Sequence, residues 1–152
     1  MHYIFHDGKE RETLKPLTWT RPVADLRVGV TTLREKWLLR SPNSTFSYHS
    51  AAYLAGSFDM SQPEGDAVRH VRGCLVATDA LMDAVASLRP GQQLVDAKGE
   101  WLASHGADAT ENVLFADSAL VMRRPFDLFS ANAEVLEADF DLLTRGRSSA
   151  TL

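Results

Sequence analysis

The chain has 152 residues, 45% apolar and 24% charged, with a net charge of −4; these are globular proportions that exclude a disordered or collagen-like chain. A single cysteine, Cys74, excludes a disulfide framework and a cysteine-rich zinc site. No apolar run approaches the ~20 residues needed to span a bilayer, and the N-terminal MHYIFHDGKE lacks the long apolar core of a secretory signal. A cytoplasmic protein with one domain is expected.

In chain order, His2–His6 is a short apolar-aromatic run ended by Asp7-Gly8, which predicts a buried first strand. Lys9–Lys15 is charged and predicts a loop. Residues 14–30 hold two prolines and a glycine without helical period, and read as an ordered extended loop. Thr32 and Glu35 fit a capping box, so a helix is expected from Leu33 to about Leu39. Thr45–Tyr48 alternates like a strand, residues 50–58 suit a short helix, and 59–66 suit exposed turns. Gly73–Thr78 is apolar and predicts a strand, after which Asp79 caps a helix with Leu81, Met82, Val85 and Leu88 on one face. Gln93–Asp96 and Glu100–Ala103 flank a turn and predict a hairpin. Val113–Phe115 and Leu120–Met122 are further short strand candidates. From Ser130 a helix is expected to bury Ala133, Leu136, Phe140 and Leu143, with Asp139 and Asp141 in solvent and Gly146 ending it. The tail SSATL reads as frayed. This alternation predicts an α/β domain with a mixed sheet.

Charge is uneven. Residues 1–48 carry 8 Lys/Arg against 5 Asp/Glu, and the remainder carries 8 against 15. The acidic whole argues against a nucleic-acid partner, whereas a basic N-terminal third suits a local anion such as phosphate. Residues 16–36 concentrate Arg21, Arg27, Arg34 and Lys36 between a first strand and a helix, where α/β proteins hold anions. Arginine forks match phosphate geometry. The alternative is that Arg21 and Arg27 pair with Asp7, Glu12 or Asp25 and pin the loop. The five histidines show no zinc-site spacing, no nucleophile elbow is present, and Cys74 reads as a core thiol. Trp19, Trp37 and Trp101 read as core or interface residues. Arg123 and Arg124 either line a cleft or pair with Asp127.

Pro16-Leu17-Thr18, then Arg21-Pro22, then Val28-Gly29, resembles the signature loop of sugar-nucleotide pyrophosphorylases. The phrase LTWTRPVADLRVGVTTLREKW is similar to a subgroup of sugar nucleotidyltransferases related to the bifunctional N-acetylglucosamine-1-phosphate uridylyltransferases. Residues 72–95 and 124–148 resemble the central region and the end of that subgroup's N-terminal domain. The resemblance implies a Rossmann-like, three-layer α/β sandwich with a mixed, mainly parallel sheet, reduced in size, over residues 1–148. Residues 149–152 would then lead toward a left-handed β-helix, a C-terminal partner domain expected to be absent. It implies nucleotidyl transfer to a sugar phosphate, with UDP-N-acetylglucosamine and cell-envelope polysaccharide as context. The alternative is a degenerate domain that binds a nucleotide sugar or supports a β-helix. The family's Gly-rich phosphate loop falls on Asp7–Glu12, where Gly8 and Arg11 match it, and its lysine falls on Val23. The resemblance thus nominates Arg21 and Arg27 as catalytic residues and Gly8, Arg11, Thr18 and Lys36 as substrate-binding residues. Asp79 would ligate Mg²⁺, which needs few protein carboxylates, or would serve as a helix cap.

Overall fold

Tyr3, Ile4 and Phe5 are almost wholly buried, and the strand that carries them, β1 (His2–His6), runs inside the sheet with a neighbour on either side. The computed structural model describes residues 1–147. The tail 148–152, and with it the expected passage to a further domain, lies outside the described residues.

After β1 the chain forms a one-turn helix α1 (Glu10–Thr13) where a loop was expected. A small ribbon, β2 (Arg27–Val28) and β3 (Thr31–Thr32), precedes α2 (Leu33–Arg40). The expected capping box is present: the Glu35 amide donates to the Thr32 hydroxyl at 3.2 Å, and the Thr32 amide donates to Glu35 Oε2 at 2.7 Å. There follow β4 (Thr45–His49), β5 (Val68–Arg72), α3 (Asp79–Ala86), β6 (Gln92–Val95), β7 (Trp101–Ser104), β8 (Glu111–Leu114), α4 (Pro125–Ser130) and α5 (Asn132–Thr144). Within 50–58 only Ala52–Leu54 is helical, as a single 3₁₀ turn.

The six-stranded sheet has the order β4-β1-β5-β7-β6-β8. β1 is parallel to β4 and β5, and β6 to β8, while β7 is antiparallel to both its neighbours. The fold is therefore α/β with a mixed, mainly parallel sheet. Alternation sends Tyr3 and Phe5 to the face that meets Trp37 of α2 and Leu81 and Val85 of α3. Ring centroids of Tyr3 and Trp37 lie 5.5 Å apart. A second core joins Leu14, Val23, Leu26 and Val28 of the basic loop to Met122, Leu128 and Val135. That core fixes the loop against α4 and α5.

Four expectations are corrected. The strand placed at Gly73–Thr78 is instead Val68–Arg72; Gly73 and Cys74 turn, and the buried stretch 73–77 makes one bridge, Leu75 with Val121. The composition hid β5 because Arg69 and Arg72 are buried in it, each held by hydrogen bonds. The 120–122 segment is that same bridge rather than a strand. The cap of α3 is Thr78, whose hydroxyl accepts from the Leu81 amide at 3.2 Å; Asp79 is the first helical residue. On α5 the buried positions are Val135 and Asp139, so Ala133, Leu136 and Phe140 face solvent.

Candidate functional site

Asp7 directly follows β1, at the carboxyl edge where open α/β sheets bind ligands. Its side chain is 4% exposed, and a carboxylate so removed from water needs partners. Oδ1 accepts the Val23 amide at 2.8 Å. Oδ2 accepts the Arg11 guanidinium at 2.7 Å and the Ser50 hydroxyl. Arg11 continues to the Tyr53 hydroxyl at 2.5 Å, and that hydroxyl donates to the Trp19 carbonyl at 2.7 Å. Thr18, fully buried, donates to the Arg11 carbonyl at 2.7 Å. Residues 16–23 are thereby pinned to the sheet edge by their own backbone.

Above this support Arg21 and Arg27 line one open hollow of about 380 Å³, with Pro16, Leu17, Thr20, Leu26 and Leu128. The acids that might have paired them are engaged elsewhere. Asp7 holds Arg11, Glu12 holds Lys15 at 2.6 Å, and Asp25 holds Arg34 at 2.8 Å. Among the described residues neither Arg21 nor Arg27 has an ion-pair partner. Arg27 is aimed by a hydrogen bond from its guanidinium to the Val30 carbonyl. Two guanidinium groups without ion-pair partners on one concave surface offer hydrogen-bond donors whose geometry suits an anion with several oxygens.

The remaining nominated residues lie elsewhere. Gly8, at φ +57°, lines a separate hollow of about 260 Å³ with Arg72, Glu100 and Trp101. The cation there is matched: Arg72 meets Glu10 at 2.5 Å and Glu100 at 3.0 Å. Hydrogen bonds from Arg123 and Arg72 hold the Glu100 carboxyl down to about 2. Lys36 and Asp79 line a third hollow of about 670 Å³ between α2, α3 and α5. The Lys36 ammonium is buried against Asp139, and burial lowers its pKa from the usual lysine value. Asp79 is largely exposed, with Oδ1 2.9 Å from the Arg40 guanidinium. Among the described residues no group of three or more His, Cys, Asp or Glu is arranged to hold a metal. Asp79 offers one carboxylate, already engaged by Arg40, so a Mg²⁺ ion held there would draw most of its ligands from substrate and water.

The structure thus brings Arg21 to Arg27 and sets Arg11 and Thr18 beneath them. It places Lys36 with Asp79 away from that hollow. Sequence reading missed Ser50 and Tyr53 and weighed Asp7 only as a partner of Arg21 or Arg27; the fold gathers the three from separate segments, and the Asp7-Gly8 turn after an apolar strand was the one local signal. It also missed a histidine row: His6 Nε2 lies 2.9 Å from His70 Nδ1, and the His6 and His49 rings are 4.7 Å apart. Burial and its two histidine neighbours bring His6 down to about 4. Cys74 is a core thiol as expected, fully buried and pushed up to about 12 by burial. Arg124 pairs with Asp127 at 3.6 Å and Arg123 with Glu100 at 2.5 Å.

No helix among the described residues is long and apolar enough to cross a membrane. No curated protein matches the chain. Residues 3–148 match the family described as sugar nucleotidyl transferase, and with nearly the whole chain inside that match, the protein belongs to the sugar nucleotidyl transferase family.

Proposed function

We propose that this domain transfers a nucleotidyl group to a sugar 1-phosphate, with Arg21 and Arg27 as the phosphate-facing residues. The observation that carries this reading is the pair of unpaired guanidinium groups on one open hollow. In the reaction a sugar-phosphate oxygen attacks the α-phosphorus of a nucleoside triphosphate. The new P–O bond forms as the bond to the bridging oxygen breaks, and pyrophosphate leaves with the electron pair. Little covalent chemistry falls to the protein, so the work is positioning and charge stabilisation. Arg21 and Arg27 donate hydrogen bonds to phosphate oxygens, and the Asp7–Arg11–Tyr53 network keeps the loop rigid beneath them. Mg²⁺ would neutralise phosphate charge and would enter with the nucleotide; Asp79 lines a different hollow, so no step is assigned to it.

The subgroup resemblance supports a uridine nucleotide and N-acetylglucosamine 1-phosphate as the first ligands to test, in a cytoplasmic enzyme of envelope polysaccharide synthesis. It also supports a domain of residues 1–148 that would serve a β-helix partner in a longer protein.

A second reading, binding of a nucleotide sugar without transfer, is favoured by a specific observation. The position where the family carries its lysine is Val23, buried and uncharged, and Arg11 is engaged by Asp7. Thermal shift with nucleoside triphosphates and nucleotide sugars, each with and without Mg²⁺, tests both readings together with a pyrophosphate-release assay. A ligand at 100 times its Kd adds about 2.7 kcal/mol to stability. A base-selective shift with pyrophosphate release supports transfer. A shift from nucleotide sugars without release supports binding alone, and a flat panel refutes both.

A further inference from the structure

His105 is the one histidine that the fold buries, at 7% exposed. Its Nδ1 lies 2.9 Å from the Leu88 carbonyl. A carbonyl can only accept, so Nδ1 carries the proton and Nε2 is the acceptor of the neutral ring. Among the described residues Nε2 has no hydrogen-bond partner, and no side-chain nitrogen sealed from solvent lacks one. Nε2 therefore opens on the hollow of about 440 Å³ that the ring lines. A ring nitrogen in a fixed tautomer, almost wholly buried and unpartnered, calls for a donor from outside the chain.

The rest of the hollow indicates what that donor is. The loop before β5 brings Glu64 to it and the loop after β7 brings Asp108. Neither carboxylate is ion-paired among the described residues, and no lysine or arginine is among the lining residues. The loop that carries Asp108 is tied at its base: the Gly91 amide donates to the His105 carbonyl at 3.0 Å, and the Gly91 carbonyl accepts the Thr110 and Glu111 amides at 3.1 Å. Val68 and His70 of β5 complete the site. Val68 opens β5, so this hollow sits at the amino edge of the parallel strands, whereas Asp7 follows their carboxyl edge. A phosphate here would meet two carboxylates and no cation; a cationic donor finds an acceptor and two opposite charges. The volume is that of a small-molecule site rather than of a bare ion, and no set of three metal-ligating side chains is arranged there. We propose that this hollow binds a small primary aliphatic amine, whose ammonium donates to His105 Nε2 and whose charge is met by Glu64 and Asp108.

Calorimetric titration of the chain at low salt and about pH 7.5, where aliphatic amines are charged and carboxylates ionised, tests this. The probe is putrescine, and its neutral analogue is butane-1,4-diol. Putrescine binds with single-site saturation and the diol does not. His105→Asn keeps an N–H for the Leu88 carbonyl but loses Nε2, and it raises the putrescine Kd at least about tenfold. Glu64→Gln/Asp108→Asn does the same through surface carboxylates, and keeps the test readable where His105→Asn lowers the melting temperature. Arg21→Ala/Arg27→Ala leaves the putrescine Kd unchanged, so this site and the anion hollow stand or fall separately. No saturable heat up to about 10 mM putrescine overturns the proposal, as does equal binding of the diol. A Kd unchanged in both site variants assigns the diamine to the net negative charge of the chain rather than to this hollow, and equally overturns it.

Discussion

The Lys36 ammonium and the Asp139 carboxylate meet at 2.5 Å with side chains 1% and 3% exposed. The same carboxylate oxygen accepts the Val30 amide at 2.9 Å and the Thr31 amide at 3.2 Å. One buried oxygen therefore ties α5 and α2 to the turn of the β2–β3 ribbon, and that turn supplies the carbonyl that aims Arg27. The pair couples the position of a candidate phosphate-binding residue to the last helix.

Removing one member of this pair leaves a charge in the interior, which costs about 3–5 kcal/mol. Asp139→Ala and Lys36→Met should each lower stability by that amount in urea unfolding. The double variant Lys36→Met/Asp139→Leu should lose less than the sum of the singles, because no lone charge remains. Equal and additive losses would show that the two groups do not depend on one another.

Arg11 on α1 and Arg21 in the loop that follows it should respond in opposite ways. Arg21 has no ion-pair partner among the described residues, so Arg21→Ala should leave the melting temperature unchanged. It should weaken nucleotide or sugar-phosphate binding by about 1.5–3 kcal/mol, the value of a charged hydrogen bond. Arg11→Ala removes the partner of buried Asp7 and should cost about 2–3 kcal/mol of stability. Calorimetric titration beside thermal melts separates the two; a melting loss in Arg21→Ala would assign that residue to structure.

The histidine row makes stability depend on pH. His6 is held near 4 in the folded protein by burial and by His49 and His70, against 6.5 in its ordinary state. Burial also lowers His70. Between those values the unfolded chain binds more protons than the folded one, so stability rises with pH. The contribution is fully present above about 6.5 and is lost as pH falls toward 4, on the order of 3 kcal/mol for His6. Urea midpoints measured across this window should fall with pH, and His6→Gln should flatten the curve. A wild-type midpoint unchanged from pH 6.5 to pH 4.5 would contradict this account.

Features set by neighbouring residues are legible in the sequence itself. The Thr32–Glu35 capping box closes within three positions, and α2 begins where it indicates. The clustering of Arg21 and Arg27 in one loop is likewise local, and they share a hollow. Features that need distant partners are not legible there. Asp139 reads as a solvated helix residue until Lys36, 103 positions away, comes to meet it. Leu136 and Phe140 read as core because helical spacing reports a stripe but not its direction. Asp7 gathers Arg11, Val23 and Ser50, which share no pattern in the chain. Strand β5 is disguised because two of its buried side chains are arginines.

Gly29 gives the sharpest test of how closely α5 packs on the ribbon. Its φ is +71°, and a Cβ there would lie 2.7 Å from Asp139 Oδ2, 3.1 Å from Val135 Cγ1 and 3.2 Å from the Leu136 amide nitrogen. Gly99 has a similar φ of +76° with open space around it. Gly99→Ala should therefore cost only the left-handed backbone term, about 1 kcal/mol. Gly29→Ala adds a clash with a carboxylate that cannot retreat without losing Lys36 and two amides. Its cost should exceed that of Gly99→Ala by about 1–3 kcal/mol, the range for overpacking a tight site. Because Arg27 is aimed from the same turn, the variant should also weaken nucleotide or sugar-phosphate binding, whereas Gly99→Ala should not. Equal losses of stability in the two variants would mean that α5 moves freely away from the ribbon.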